Sequence, residues 1–115
     1  MLELNTKTYG EQAGPAIVLL QGLFGSSTNW GTVARNLAQK YRVLVPDLRN
    51  HGRSAHDPDI SYLAMSDDLQ LLLRELACPR VVLVGHSMGG KAAMHFALQY
   101  PEKVEGLAVV DMAPF

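Results

Sequence analysis

The sequence predicts an α/β domain built on a mostly parallel sheet with helices on both faces. Short, continuous apolar runs alternate with longer stretches of helical period, and segments rich in glycine, proline, asparagine or aspartate punctuate the joins. A strand that is apolar at every position is buried on both faces, and such strands belong to βαβ units, because parallel neighbours require a crossover connection.

Residues 2–9 mix polar and apolar side chains and predict an edge strand. Ala16-Ile17-Val18-Leu19-Leu20 is the first buried strand, closing at Gly22. A helix is expected over 26–41, with Trp30, Val33, Leu37 and Tyr41 on one face. Arg42-Val43-Leu44-Val45 follows as a second buried strand stopped by Pro46, and residues 48–58 predict a loop. Ser61 is placed to cap a helix whose stripe is Tyr62, Met65, Leu69, Leu72, Leu73 and Leu76, ended by Cys78-Pro79. Val81-Val82-Leu83-Val84 predicts a third buried strand. The helix over 88–100 sets Met88, Ala92, Phe96 and Tyr100 on one side before Pro101. Leu107-Ala108-Val109-Val110 predicts a fourth buried strand with no helix after it, so the sheet is expected to end on an uncovered apolar edge open to self-association.

The 115 residues suit one domain, and 48% hydrophobic content supplies a core. Ten basic against eleven acidic side chains leave a net charge of −1 without a cationic cluster, which argues against nucleic acid or an anionic membrane as partner. The lone Cys78 excludes an internal disulfide or a cysteine-based zinc cluster and fits a reducing compartment. Met1-Leu2-Glu3-Leu4 has no secretory pattern, and no apolar run reaches the ~18–20 residues of a membrane span. The cytoplasm is the expected location.

Gly85-His86-Ser87-Met88-Gly89 matches G-x-S-x-G between an expected strand and an expected helix. A sharp turn there strains the central residue and lifts its hydroxyl clear of the sheet, while the glycines make room for neighbouring chain. Ser87 is therefore the expected nucleophile, at the carboxyl ends of the strands where open α/β sheets bind ligands; the plainer account is a capping serine in a glycine-rich turn. Developing oxyanion charge would meet the backbone N–H of Met88 at the helix start. A second donor is expected from the Gln21-Gly22-Leu23-Phe24-Gly25 segment, Leu23 first and Phe24 second.

These residues carry a resemblance. The chain resembles the amino-terminal half of α/β-hydrolase-fold serine esterases, in the branch that includes bacterial acyl-CoA esterases and mitochondrial α/β-hydrolase-domain proteins. It rests on Gly22-Leu23-Phe24-Gly25-Ser26, Asp47-Leu48-Arg49-Asn50-His51-Gly52-Arg53-Ser54 and Gly85-His86-Ser87-Met88-Gly89-Gly90-Lys91, in family order over all 115 residues. Arg49-Asn50-His51-Gly52 and Gly90-Lys91 are the narrower signatures. The resemblance implies residues 1–115 as the amino-terminal part of a single α/β-hydrolase domain, ending after the strand that follows the nucleophile helix. It also implies hydrolysis of acyl esters or acyl-CoA thioesters through an acyl-enzyme, without cofactor or metal. The sequence departs from the family at Gln21, where members usually carry His, and in length, since the family needs roughly twice as many residues and places its catalytic His in the later part.

Asp111, at the end of the strand after the nucleophile helix, is the candidate triad acid by this resemblance; a loop or capping aspartate is the alternative. None of the four histidines is placed as a base. His86 should point away from Ser87, His51 suits a structural hydrogen bond, and His56 and His95 suit a surface loop and a helix face. Asp47, Arg49 and Asn50 are expected to order their loop, and Asp67 and Asp68 to face solvent. The rival expectation, motivated by the missing base, is a catalytically incomplete, hydrolase-like binding or interaction module.

Overall fold

The computed structural model describes residues 1–10, 15–21 and 31–110. In chain order these form β1 (Thr6–Tyr9), β2 (Ala16–Leu20), α1 (Gly31–Leu37), β3 (Val43–Pro46), α2 (Tyr62–Glu75), β4 (Val81–His86), α3 (Met88–Gln99), a 3-10 turn (Pro101–Lys103) and β5 (Val104–Val110). The five strands lie in the order β1-β3-β2-β4-β5. The β3–β2, β2–β4 and β4–β5 pairs are parallel, and β1 alone runs antiparallel, on β3. This is the mostly parallel α/β sheet that the apolar runs predict.

Burial explains why the central strands are apolar throughout. Val18, Leu20, Leu44, Val81 and Leu83 pack on one face of the sheet with Met65, Leu69 and Leu73 of α2 and Ala92, Ala93 and Phe96 of α3. On the other face Leu19, Val43 and Val45 pack with Ala34 of α1, joined by the half-buried Leu37 and Ala38. Alternate residues of one strand thus enter two separate cores, and neither face tolerates a polar side chain. No helix among the described residues is long and apolar enough to cross a membrane.

Several elements differ from their expected form. Only residues 6–9 of the first expected strand join the sheet, because side chains take up the amides before them: Leu2 N donates to Asp68 Oδ1 (2.7 Å) and Asn5 N to Ser54 Oγ (2.9 Å). The described part of the first expected helix ends at Leu37 in a turn closed by Tyr41 N on Leu37 O (2.9 Å), which leaves Tyr41 exposed. Its buried side is Gly31 and Ala34 rather than Val33, which is 44% exposed; Trp30 lies outside the described residues. Pro46, expected to stop β3, is instead its last residue, registered with Thr6. The strand expected over 107–110 begins at Val104, and it is not buried: Leu107 is 43% and Val110 42% exposed, because among the described residues β5 lies at the sheet edge with a single strand neighbour. Asp68, expected to face solvent, is fully buried in an ion pair described below.

Candidate active site

The turn between β4 and α3 has the geometry that its glycines anticipate. Ser87 sits at φ 55°, ψ −118°, a left-handed backbone that residues with a Cβ rarely adopt. It occupies the capping position of α3 yet makes no side-chain capping bond, so its hydroxyl is not committed to the helix. Close approach of backbone enforces the flanking glycines. A Cβ on Gly85 would run into Gly89 O, and one on Gly89 would run into Leu20 O and lie 2.6 Å from Gln21 O. A Cβ on Gly90 would come within 2.9 Å of Val109 Cγ1. The turn is wedged between its own helix, the end of β2 and the face of β5. The first α3 hydrogen bond is Lys91 N to Ser87 O (3.1 Å), which leaves the amides of Met88, Gly89 and Gly90 without an acceptor inside the helix. Those amides and the helix dipole favour negative charge beside Ser87.

Strand register brings the carboxyl ends of neighbouring strands to this edge. Leu20 of β2 is registered with Gly85, and Val110 of β5 with His86. Asp111, Leu23 and Phe24 lie outside the described residues, so among the expected site residues the geometry concerns Ser87 and Met88.

Beyond β3 the loop is ordered around two buried carboxylates. Asp47 Oδ2 accepts from Asn5 Nδ2 (2.9 Å) and Arg53 N (3.1 Å), while Oδ1 accepts from Gln21 Nε2 (3.3 Å). Ser54 Oγ donates to Asp47 O. Asn50 and Gly52, at φ 67° and 51°, wrap the chain so tightly that a Cβ on Gly52 would overlap the Asp47 carboxylate. Arg49 forms a bidentate pair with Asp68 of α2, Nε on Oδ2 (2.7 Å) and Nη2 on Oδ1 (2.8 Å), and its Nη1 donates to Asp59 O (2.8 Å). The hydrogen bond to Asp68 holds the Arg49 guanidinium above its ordinary pKa, outweighing the opposing effect of burial. Hydrogen bonds from Ser61, led by its backbone N–H, lower the pKa of the exposed Asp59. The loop-ordering role expected of Asp47, Arg49 and Asn50 is thus what the structure shows. Asp68 carries no sequence signal for its part in it, since an aspartate in a helix is common, and Gln21 is marked only by standing where the resembling family usually has His. Tertiary contact alone supplies their partners.

No described side chain hydrogen-bonds Ser87 Oγ, and none of the four histidines is paired with it. His51 Nδ1 lies 2.9 Å from Arg49 O; a carbonyl only accepts, so Nδ1 carries the proton and the ring serves the loop. His86 and His56 are exposed, and His95 is half-buried on α3. Among the described residues no three His, Cys, Asp or Glu side chains form a group that could hold a metal ion.

Comparison with known proteins bears on the same features. The sn-1-specific diacylglycerol lipase ABHD11 of Mus musculus is 57% identical over 107 residues, covering 91% of this chain and 35% of that protein. Esterase YbfF of Escherichia coli (strain K12) is 41% identical over 98 residues, covering 85% of this chain and 39% of its own. A solved structure, a marine microorganism esterase, superposes with a TM-score of 0.94 at 43% identity, covering 99% of this chain and 43% of that one. The chain therefore spans little more than a third of the length of these curated relatives. Residues 15–115 match the family described as the alpha/beta hydrolase fold. With the parallel sheet, the strained serine turn and these identities, the chain belongs to the α/β hydrolase fold family.

Proposed function

We propose that this chain carries the nucleophile and part of the oxyanion site of a serine hydrolase acting on carboxylic esters or acyl thioesters. The observation that carries the reading is Ser87 itself: a non-glycine residue at φ 55° whose hydroxyl makes no capping bond, beside helix amides at the carboxyl edge of the sheet. Strain of this kind persists only where the surroundings impose it, and here three glycines and two neighbouring strands do so.

In the proposed reaction the Ser87 hydroxyl loses its proton to an imidazole as its oxygen bonds to the acyl carbon. The carbonyl electrons move to oxygen, where the Met88 amide and a second donor, Leu23 or alternatively Phe24, receive the charge. The intermediate collapses, the alcohol or thiol leaves with that proton, and water then releases the acid from the acyl-enzyme by the same route. Asp111 is our candidate for orienting the imidazole, supported by the register of Val110 with His86 at the nucleophile edge. We assign the imidazole to chain beyond residue 115, because His51 is tied to Arg49 O and no described histidine bonds Ser87. No cofactor enters this chemistry. The relatives' names make diacylglycerol and small esters the first substrates to test, with acyl-CoA beside them. The single buried Cys78 suits the cytoplasm.

The test is fluorophosphonate labelling and ester hydrolysis by the full-length protein and its Ser87→Ala variant. Loss of both in the variant is expected. Turnover that survives Ser87→Ala removes Ser87 as nucleophile. A folded wild type that is neither labelled nor active favours instead a hydrolase-like binding module, whose motivating observation is the absence of a base at Ser87 among the described residues.

A further inference from the structure

We propose that Gln21 is a positioning residue for the nucleophile turn, transmitting the placement of the loop after β3, through Asp47, to the backbone beside Ser87. The inference rests on the acyl-transfer reading of Ser87 given above.

Three observations meet at this residue. First, the backbone of Leu20 and Gln21 lies against the first turn of α3 so closely that residue 89 has no room for a Cβ; the end of β2 and the nucleophile turn move together or collide. Second, the Gln21 side chain is buried beside the equally buried Asp47, with Nε2 donating to Oδ1 at 3.3 Å. Asp47 is not free to follow a displaced Gln21, because Asn5 Nδ2 and Arg53 N hold its other oxygen and Ser54 holds its carbonyl. Third, Gln21 Oε1 is buried without a hydrogen-bond partner among the described residues. A carboxylate only accepts, so Asp47 dictates that the amide present its nitrogen and strand its oxygen. An apolar side chain of similar volume would remove the stranded oxygen but also take a donor from the buried Asp47 carboxylate. The amide leaves its oxygen unpaired while its nitrogen ties the end of β2 to Asp47, which is what a positioning group does and a packing group does not.

The consequence is kinetic. A displacement of well under 1 Å at the end of β2 passes through the Gly89 contact to Ser87 and the Met88 amide. Misplacement near 1 Å of groups that act on a transition state costs rate up to about 10²-fold. Ground-state binding, made elsewhere in the substrate, is left in place.

The experiment measures kcat, KM and thermal midpoint for an activated ester with the full-length protein, Gln21→Leu and Gln21→Glu. Gln21→Leu removes both the donor and the stranded acceptor. Its kcat is expected to fall about tenfold, with KM within about twofold, at temperatures well below the thermal midpoint. That midpoint drops, because Asp47 Oδ1 loses a buried donor. Gln21→Glu keeps the shape but sets a second carboxylate against Asp47, the ionisable group hydrogen-bonded to Gln21 among the described residues. Its kcat relative to wild type should be low at neutral pH and recover on acidification, as the introduced carboxyl, once protonated, again donates to Asp47. A structural role alone would move the midpoint and leave that ratio flat. Wild-type kcat in both variants, with Ser87-dependent turnover intact, overturns the proposal. Absence of Ser87-dependent turnover in wild type overturns the acyl-transfer reading itself, and this inference with it. Should Gln21→Leu fail to fold, the pH course of the Gln21→Glu ratio decides alone.

Discussion

Ser87 holds a backbone conformation that costs about 1–3 kcal/mol for a residue with a Cβ, and the strain is accommodated by neighbours that have none. Gly89 is the tightest of these, since the atoms that a Cβ would meet are backbone oxygens that cannot rotate away. Gly89→Ala is therefore expected to lower the thermal midpoint and reduce hydrolysis at least about tenfold, a loss that substitution of a surface residue such as Lys40 would not show. The second demanding position is Asp68, buried at 0% exposure against Arg49. Asp68→Ala leaves a buried guanidinium without its carboxylate, and urea titration should record a loss of about 3–5 kcal/mol. Replacing Arg49 by Met in the same chain should restore much of it, because the cost lies in the uncompensated charge rather than in the missing pair.

The helices are positioned by the faces they bury. α2 begins where Ser61 Oγ accepts from Ala64 N (3.1 Å), and α3 begins at a serine that does not cap; identical residue types do opposite work because only the second is held at positive φ. At the far end of α3, Tyr100 packs on Phe96 (ring centroids 5.0 Å apart) and donates to Asp67 Oδ1 (3.4 Å). Burial first, and then the Asp67 charge, raise the Tyr100 pKa above its ordinary value of 10.0. The folded state thus retains the phenolic proton that the unfolded chain releases. This contribution to stability is complete below about pH 10 and is lost as pH climbs through the folded value. Thermal midpoints measured across the alkaline range should fall less steeply for Tyr100→Phe than for wild type.

Across the whole molecule the sheet is unevenly covered. β2 and β3 are buried on both faces, while β4 is buried on one and only half-buried on the other, through Val82 and Val84. β5 presents Leu107, Val109 and Val110 at 37–43% exposure along an edge open among the described residues. An unpaired apolar strand is a template for another chain. Residues 1–115 prepared alone are expected to self-associate, and sedimentation velocity should show Leu107→Lys shifting them toward monomer. Monomers in both cases would remove the edge as the cause.

Much of this architecture was legible in the order of residues. Alternation of apolar runs with helical periods dictated the βαβ order, because parallel strands need crossovers. Burial on both faces followed for β2 and β3 but not for the equally apolar 107–110 run of β5 at the sheet edge. The spacing of Gly85, Ser87 and Gly89 dictated a turn that lifts a serine from the sheet, because glycine is required wherever backbone meets backbone. What the residues could not disclose is which distant groups meet. Val33 and Tyr41 fit a helical stripe but are exposed, since the helix ends at Leu37 and packs through Ala34. Asp68 looks like a surface aspartate until Arg49, 19 positions away, arrives at its carboxylate. Gln21 looks like a polar strand end until Asp47, 26 positions away, takes its amide. Periodicity and glycine spacing are local and are written in the chain; the pairing of buried charges depends on long-range closure, which folding alone supplies.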